Sequence, residues 1–285
     1  MCSLLPRRCG LLCLLLCCAR ATVGRCAEPT AALPAAPVLY LFAHQDDEVF
    51  VLGKMRREML EGREVHALWI TDGARDGNAA HRARESRDVM ALVGVPAARL
   101  YFLGFPDHAS VRHLGAIYDQ ISAIVGTRPF AEIDSPAYEG GNIDHDVAAL
   151  MGALVTELPC GPLAHLEFPL YNRYQKHERY GVFLPNAATA VNVEPLDADR
   201  RTLVLAALKL YRSQRVLLTV LGIVGHKKAL LDRGEPLRTA PPYDFESRPV
   251  NETCAYEVRG LHRAKFGDWV AAVEPFLRPH LRGPG

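Results

Sequence analysis

Tyr40-Leu41-Phe42-Ala43-His44-Gln45-Asp46-Asp47-Glu48 drives an apolar run straight into a histidine and three acids. The residues leading into it, Pro37 to Ala43, are apolar enough for a strand covered on both faces, and Val49 to Met59 reads as a helix. The polar cluster therefore falls at a strand-to-helix turn. In an open parallel sheet, that is where ligands bind, just outside the carboxyl ends of the strands. His44 and Asp47 stand three apart, so a chain turning into a helix can aim an imidazole and a carboxylate at one point. Zn²⁺ on three protein ligands keeps a position open for water and lowers its pKa to about 7. Asp46, beside it, can take the proton. The same acids would also serve a helix start as plain capping charges.

Outward from this turn, Val65 to Thr71 reads as a second buried strand ending in the loop Thr71-Asp72-Gly73-Ala74-Arg75-Asp76-Gly77. A helix from about Ala79 to Val93, a strand over Leu100 to Leu103 and the loop Gly104 to His108 follow. Ile117, Ile121 and Ile124 set helical spacing over about Leu114 to Val125. A short strand near Ala131 to Ile133 leads into the polar stretch Asp134 to Asp146, then a helix over Val147 to Leu158 and a strand over Leu163 to Phe168. This alternation predicts an α/β fold, a Rossmann-like doubly wound and mostly parallel sheet. His145 lies between a strand and a helix, as the first cluster does, so both should reach one rim of the sheet. His44, Asp47 and His145 together make a minimal catalytic zinc set, which also admits other divalent metals. Beyond Tyr171 the pattern loosens. Short strands within Val182 to Val193, a helix over Asp199 to Ser213 and a helical stretch over Val216 to Asp232 read as a C-terminal α/β cover, within one domain over 37–280.

The 285 residues carry 49% hydrophobic content and a formal net charge of +1, enough for a sizeable core and no signal for nucleic acid. Arg7 and Arg8 precede the apolar run Leu11 to Cys18, with Ala19 and Ala21 at plausible cleavage positions. Residues 1–26 thus read as a secretory signal, with a twin-arginine variant admitted by Arg7-Arg8. The run is too short to span a bilayer, so no transmembrane segment is expected once it is removed. The product is expected outside the cytoplasm, periplasmic or extracellular. A lipid anchor is disfavoured because Cys18 and Cys26 follow Cys17 and Arg25. An Ala/Pro linker occupies 27–36. Six of the eight cysteines, at 2, 9, 13, 17, 18 and 26, fall in the leader, which leaves Cys160 and Cys254 to pair or to stay separate thiols. Asn251-Glu252-Thr253 matches an N-glycosylation acceptor. Tyr138, Tyr171, Arg173 and Tyr174 offer aromatic and guanidinium faces that suit a sugar site or ordinary loop packing.

These residues resemble the PIG-L/LmbE-like deacetylase family, whose opening signature Ala-His-x-Asp-Asp-Glu stands here at Ala43 to Glu48. The likeness includes Thr71-x-Gly73, Arg84-Glu85, Leu103-Gly104-Phe105-Pro106-Asp107, Asp144-His145 and the Lys209 to Gln214 segment ending in Ser213-Gln214. The resemblance implies a Rossmann-like fold and zinc-dependent hydrolysis of an N-acyl group on an amino sugar or glycoconjugate. By match, His44, Asp47 and His145 correspond to metal ligands and Asp46 to the general base. Arg84, Arg75, Asp107 and His108 are the expected substrate contacts. The chain departs from the family at Asn142-Ile143-Asp144-His145, where His-Pro-Asp-His is common. Asn142 cannot titrate, but can donate a hydrogen bond to a developing oxyanion, so proton delivery to the amine falls to Asp46 or His108. A carbohydrate-binding protein with weak or no turnover is the alternative that Asn142 motivates.

Overall fold

The computed structural model describes residues 36–74, 77–162, 164–186, 188–214, 230–250, 252–258 and 264–280. The signal over 1–26, the linker up to residue 35, Arg75, Asn251 and most of the 216–232 helix lie outside them. Val38–Phe42 forms β1, every residue of it buried, which is what an apolar run in a sheet covered on both sides requires. Its side chains alternate between two cores. Leu39 and Leu41 join Ile117, Ile121, Val147, Leu150 and Trp269, whereas Val38, Tyr40 and Phe42 join Leu52, Met55, Val89 and Val204.

The other strands are β2 (Val65–Thr71), β3 (Leu100–Phe105), β4 (Glu132–Pro136), β5 (Ala164–Phe168), β6 (Tyr171–Tyr174), β7 (His177–Tyr180), β8 (Asn192–Glu194) and β9 (Glu235–Thr239). The helices are α1 (Leu52–Leu60), α2 (Ala79–Val93), α3 (Leu114–Gly126), α4 (Ile143–Thr156), α5 (Ala198–Leu210), α6 (Ala255–Val258) and α7 (Phe266–His280). The main sheet has the order β3-β2-β1-β4-β5-β9-β8. Its first five members pair in parallel, and β9 and β8 close the edge antiparallel. Helices α1, α2 and α5 cover one face, and α3, α4 and α7 the other. The fold is the doubly wound α/β sheet that the alternating pattern predicts.

This strand order has one switch point, between β1 and β4, where successive crossovers leave in opposite directions and a crevice opens at the carboxyl ends. The turn after β1 carries His44 to Asp47, and the loop after β4 leads to Asn142 and the first turn of α4, which carries His145.

Several element boundaries differ from the sequence expectation, with β4 reaching Pro136 rather than Ile133 and α5 ending at Leu210 rather than Ser213, and two of the differences fall at the site. The segment after β1 opens as a 3-10 turn over Asp47–Phe50 before α1 begins at Leu52. Helix α4 begins at Ile143 rather than Val147, because Asn142 caps it: its side-chain oxygen accepts the Asp144 amide at 2.9 Å. Asp144 and Asp146 then occupy the first turn, where the helix dipole favours acids. His145 is accordingly a helix residue and not part of a loop. Cys160 and Cys254 are both free thiols, the first exposed and the second buried. No described helix is long and apolar enough to cross a membrane.

Candidate metal centre and active site

The turn after β1 is clasped by its own acids. Asp47 Oδ2 accepts the Ala43 amide at 3.0 Å and the His44 amide at 2.8 Å, which folds the chain back on itself. Asp46 takes a φ of 139°, a conformation few residues other than glycine adopt. What holds it there is Glu48, whose carboxylate accepts the Asp46 amide at 2.8 Å. Glu48 is itself fully buried, and accepts from Ser86 Oγ at 2.7 Å, from Trp69 Nε1 at 3.2 Å and from the Tyr211 hydroxyl. Four donors from four parts of the chain thus fix the turn in a strained shape. On the β2 side, Thr71 Oγ1 donates to the Ala43 carbonyl at 2.7 Å, and Gly73 (φ 59°) leaves room for Gln45. A Cβ on Gly73 would stand 2.0 Å from Gln45 Oε1 and 3.1 Å from the Arg82 guanidinium, so a larger residue at that position of the Thr71-x-Gly73 motif would displace both side chains.

His44, Asp47 and His145 converge across the switch point, all three buried. His145 Nε2 lies 3.1 Å from His44 Nδ1 and 3.3 Å from Asp47 Oδ1. Tetrahedral zinc with bonds of about 2.0–2.1 Å spaces its donors by roughly 3.3 Å. The three side chains fit such an ion on separation and on chemistry. His44 is also held from behind: its Nε2 lies 3.2 Å from Asp144 Oδ2 and 3.1 Å from Asp107 Oδ1. A carboxylate behind a ligating histidine fixes its tautomer and raises its basicity. Asp144 is fully buried and locked by the Ser110 amide, by Ser110 Oγ at 2.5 Å and by the His108 amide at 2.6 Å. His44, Asp107, His108 and Asp144 form a second set with metal-ligand spacing, sharing His44 with the first.

The electrostatics follow from this crowding. Burial opposes a charge on His44, but the carboxylates of Asp107, Asp144 and Asp47 outweigh it and raise its pKa well above the usual imidazole value. Burial likewise works against ionised Asp47, yet His145 and His44 hold its carboxyl well below the usual range. Asp46 goes the other way: burial pushes it up to about 7 despite the Arg82 guanidinium, whose Nη2 is 3.2 Å from its Oδ1.

Several expected contacts are placed differently. Arg84 is exposed on α2; Arg82, two positions earlier, is the buried arginine that reaches Asp46 and donates to the carbonyls of Gly73 and Gln45. The residue pair Arg84-Glu85 therefore divides: Glu85 turns inward to accept from the amide and hydroxyl of Ser213. Asp107 faces His44 rather than outward, so its geometry is that of an orienting group. His108, with φ 59°, presents its ring 6.1 Å from that of His44. Tyr138 is a core residue against Trp269 and Phe245, and donates to the Ser247 carbonyl at 2.9 Å. Tyr171 does reach the centre: its ring meets that of His145 edge-on at 5.1 Å. Glu48, Arg82 and Tyr211 were given no role from the sequence. Glu48 and Tyr211 had a signal, as members of the stretches Ala43 to Glu48 and Lys209 to Gln214; Arg82 had none.

The family model described as PIG-L, GlcNAc-PI de-N-acetylase, matches residues 39–155. No curated protein sequence matches the chain. Among solved structures, a deacetylase of the teicoplanin biosynthesis pathway superposes with a TM-score of 0.59 at 16% identity, over 73% of this chain and 99% of that one. The zinc-inhibited form of teicoplanin deacetylase gives 0.56 at 14% identity, over 73% and 100%. The N,N'-diacetylchitobiose deacetylase of Pyrococcus horikoshii gives 0.50 at 19%, over 72% and 84%. These likenesses are of fold. Over residues 39–155 the chain is similar to the PIG-L family.

Proposed function

We propose that the protein is a metal-dependent hydrolase that removes an N-acyl group, an acetyl in the first instance, from an amino-sugar substrate. The observation that carries this reading is the convergence of His44 Nδ1, Asp47 Oδ1 and His145 Nε2 at the donor spacing of a tetrahedral ion, with Asp46 held beside them. A divalent ion bound there, zinc by preference, would polarise the acyl carbonyl and acidify water.

The chain's own residues supply the rest. Asp46 is presented by the strained turn, with Arg82 on one oxygen, and accepts the proton of the attacking water. The same carboxyl returns that proton to the departing amine, since Asn142 has no proton to give. Asn142 spends its amide oxygen on the α4 cap, so its remaining capacity is the NH₂ group, a donor suited to the oxyanion. The balance is one water and one amide consumed, one carboxylic acid and one amine released. We also infer export, from the charge and apolar pattern of residues 1–26.

The test is elemental analysis of wild type beside His145→Ala, with acetate release from N-acetylglucosamine derivatives measured on the same samples. One equivalent of zinc lost in the variant, with acetate from wild type alone, is the expected result. Zinc retained by wild type without acetate from any N-acetylated sugar would turn the reading to a sugar binder.

A further inference from the structure

The hairpin β6–β7 stands apart from the main sheet as its own two-stranded ribbon. It is firmly seated. Glu139, on the loop after β4, accepts the Leu170 amide at 3.0 Å and Asn172 Nδ2 at 3.1 Å, and Asn172 also donates to the Val182 carbonyl at 2.7 Å. Gly141, next to the α4 cap, lies so close that a Cβ there would stand 1.8 Å from the Tyr171 carbonyl oxygen. At the far end Gln175 and Lys176 make the tight turn with φ of 54° and 64°, and the Lys176 amide donates to Glu252 at 2.9 Å. Side chains on such a ribbon keep fixed directions.

Strand alternation then sorts the residues by face. Tyr171 pairs with Tyr180 and Arg173 with Glu178, and these four share one face. That face is the one turned to the metal centre, because the Tyr171 ring meets His145, and Tyr180 follows at 5.7 Å from Tyr171. The opposite face carries Asn172, Tyr174, His177 and Arg179, where the Arg179 guanidinium lies over the Tyr174 ring at 4.9 Å. Tyr174 thus lies on the face turned away from His145, the one on which Asn172 is buried against Glu139. From His145 outward this face presents the rings of Tyr171 and Tyr180, and the Tyr180 hydroxyl donates to Glu178 at 3.1 Å, with Arg173 paired opposite Glu178.

We infer that this inner face holds the sugar unit adjoining the one that is deacetylated, with Tyr180 as its stacking surface and Arg173 and Glu178 as its hydroxyl partners. The inference rests on the amino-sugar reading above and sharpens it to a substrate of at least two sugar rings. An aromatic face takes up the apolar side of a pyranose, and a guanidinium fork opposite a carboxylate matches the donors and acceptors of neighbouring hydroxyls. The charges of Arg173 and Glu178 cancel, so the pairing selects a neutral sugar over a phosphate or an acidic one.

Calorimetric titration of the full-length, zinc-loaded Asp46→Asn protein with N-acetylglucosamine and with N,N'-diacetylchitobiose tests this with hydrolysis suppressed. This parent is expected to bind the disaccharide at least about tenfold more tightly, the return for hydrogen bonds to charged groups. Adding Arg173→Ala or Tyr180→Ala brings that ratio toward one, whereas adding His177→Ala, on the opposite face, keeps the parent's ratio. Equal affinities in the parent, or a preference untouched by both inner-face variants, would overturn the inference. Acetate release is scored separately on wild type: a disaccharide preference without acetate from either sugar fails the hydrolase reading and leaves the hairpin assignment standing.

Discussion

Strand β1 passes two buried polar clusters, and they differ in the source of their positive charge. Midway along it, Tyr40 meets a cluster that brings its own cations. Lys54 Nζ lies 2.7 Å from both Glu132 and Asp134, and 2.9 Å from Glu58 and from the Tyr40 hydroxyl. Arg63 adds contacts of 2.8 Å to Glu58 and 3.1 Å to Glu132. At the strand's end, Asp46, Asp47, Asp107 and Asp144 gather around His44 and His145, and the arginine of that cluster, Arg82, touches Asp46. Asp47, Asp107 and Asp144 are left with histidines. One cluster is closed from within: two cations face Glu58 and Glu132, and burial lifts the Asp134 carboxyl well above its usual pKa, as a structural ion network requires when buried. The other converges donors whose charge a divalent cation would balance.

The comparison can be broken at its strongest point first. Asp46→Asn is expected to lower kcat by about 10²–10⁴-fold while elemental analysis still finds wild-type metal. Loss of metal together with rate would make Asp46 a ligand and not a base. Lys54→Met removes the cation of the interior cluster and strands buried carboxylates, so urea denaturation should show a loss of about 3–5 kcal/mol, with zinc content per folded molecule unchanged. A variant equally stable, or one that sheds its zinc, would mean that the two clusters are not independent.

The smallest effect is one of pH. Burial works against ionised Glu132, but Lys54 and Arg63 outweigh it and hold its pKa down to about 2. A depressed folded-state pKa contributes stability that is present above the unfolded value, about 4.3, and is lost as pH falls toward 2. Glu132→Gln should therefore flatten the decline of the urea midpoint across that interval. An unchanged slope would remove Glu132 from the acid response.

Much of the site was legible because its chemistry is local in sequence. His44, Asp46 and Asp47 sit on one turn, and the alternation of strands and helices was enough to bring His145 to the same rim. The substrate-side residues were harder for a physical reason. Arg82 and Arg84 differ only in which side of α2 they occupy, and one arginine near a helix start reads like another until burial separates them. Asp107 looked like a loop acid open to substrate, although in three dimensions it backs His44. The start of α4 was placed late because its first turn, Ile143 to Asp146, is mostly polar, and apolar periodicity is silent about a helix end set by a cap. Tyr211, far along the chain, had no local feature to tie it to Glu48.

That last contact has a practical bearing on fragment design. A truncated version ending at residue 155 would contain His44, Asp47 and His145, together with the whole of the matched family region. It would lack the hydroxyl of Tyr211 on Glu48, and with it part of what keeps Asp46 in its unfavourable backbone shape, as well as the clasp of Ser213 on Glu85. A minimal expression boundary drawn from sequence similarity alone would cut through the support of the Asp46 turn; a fragment that keeps both contacts runs past Ser213.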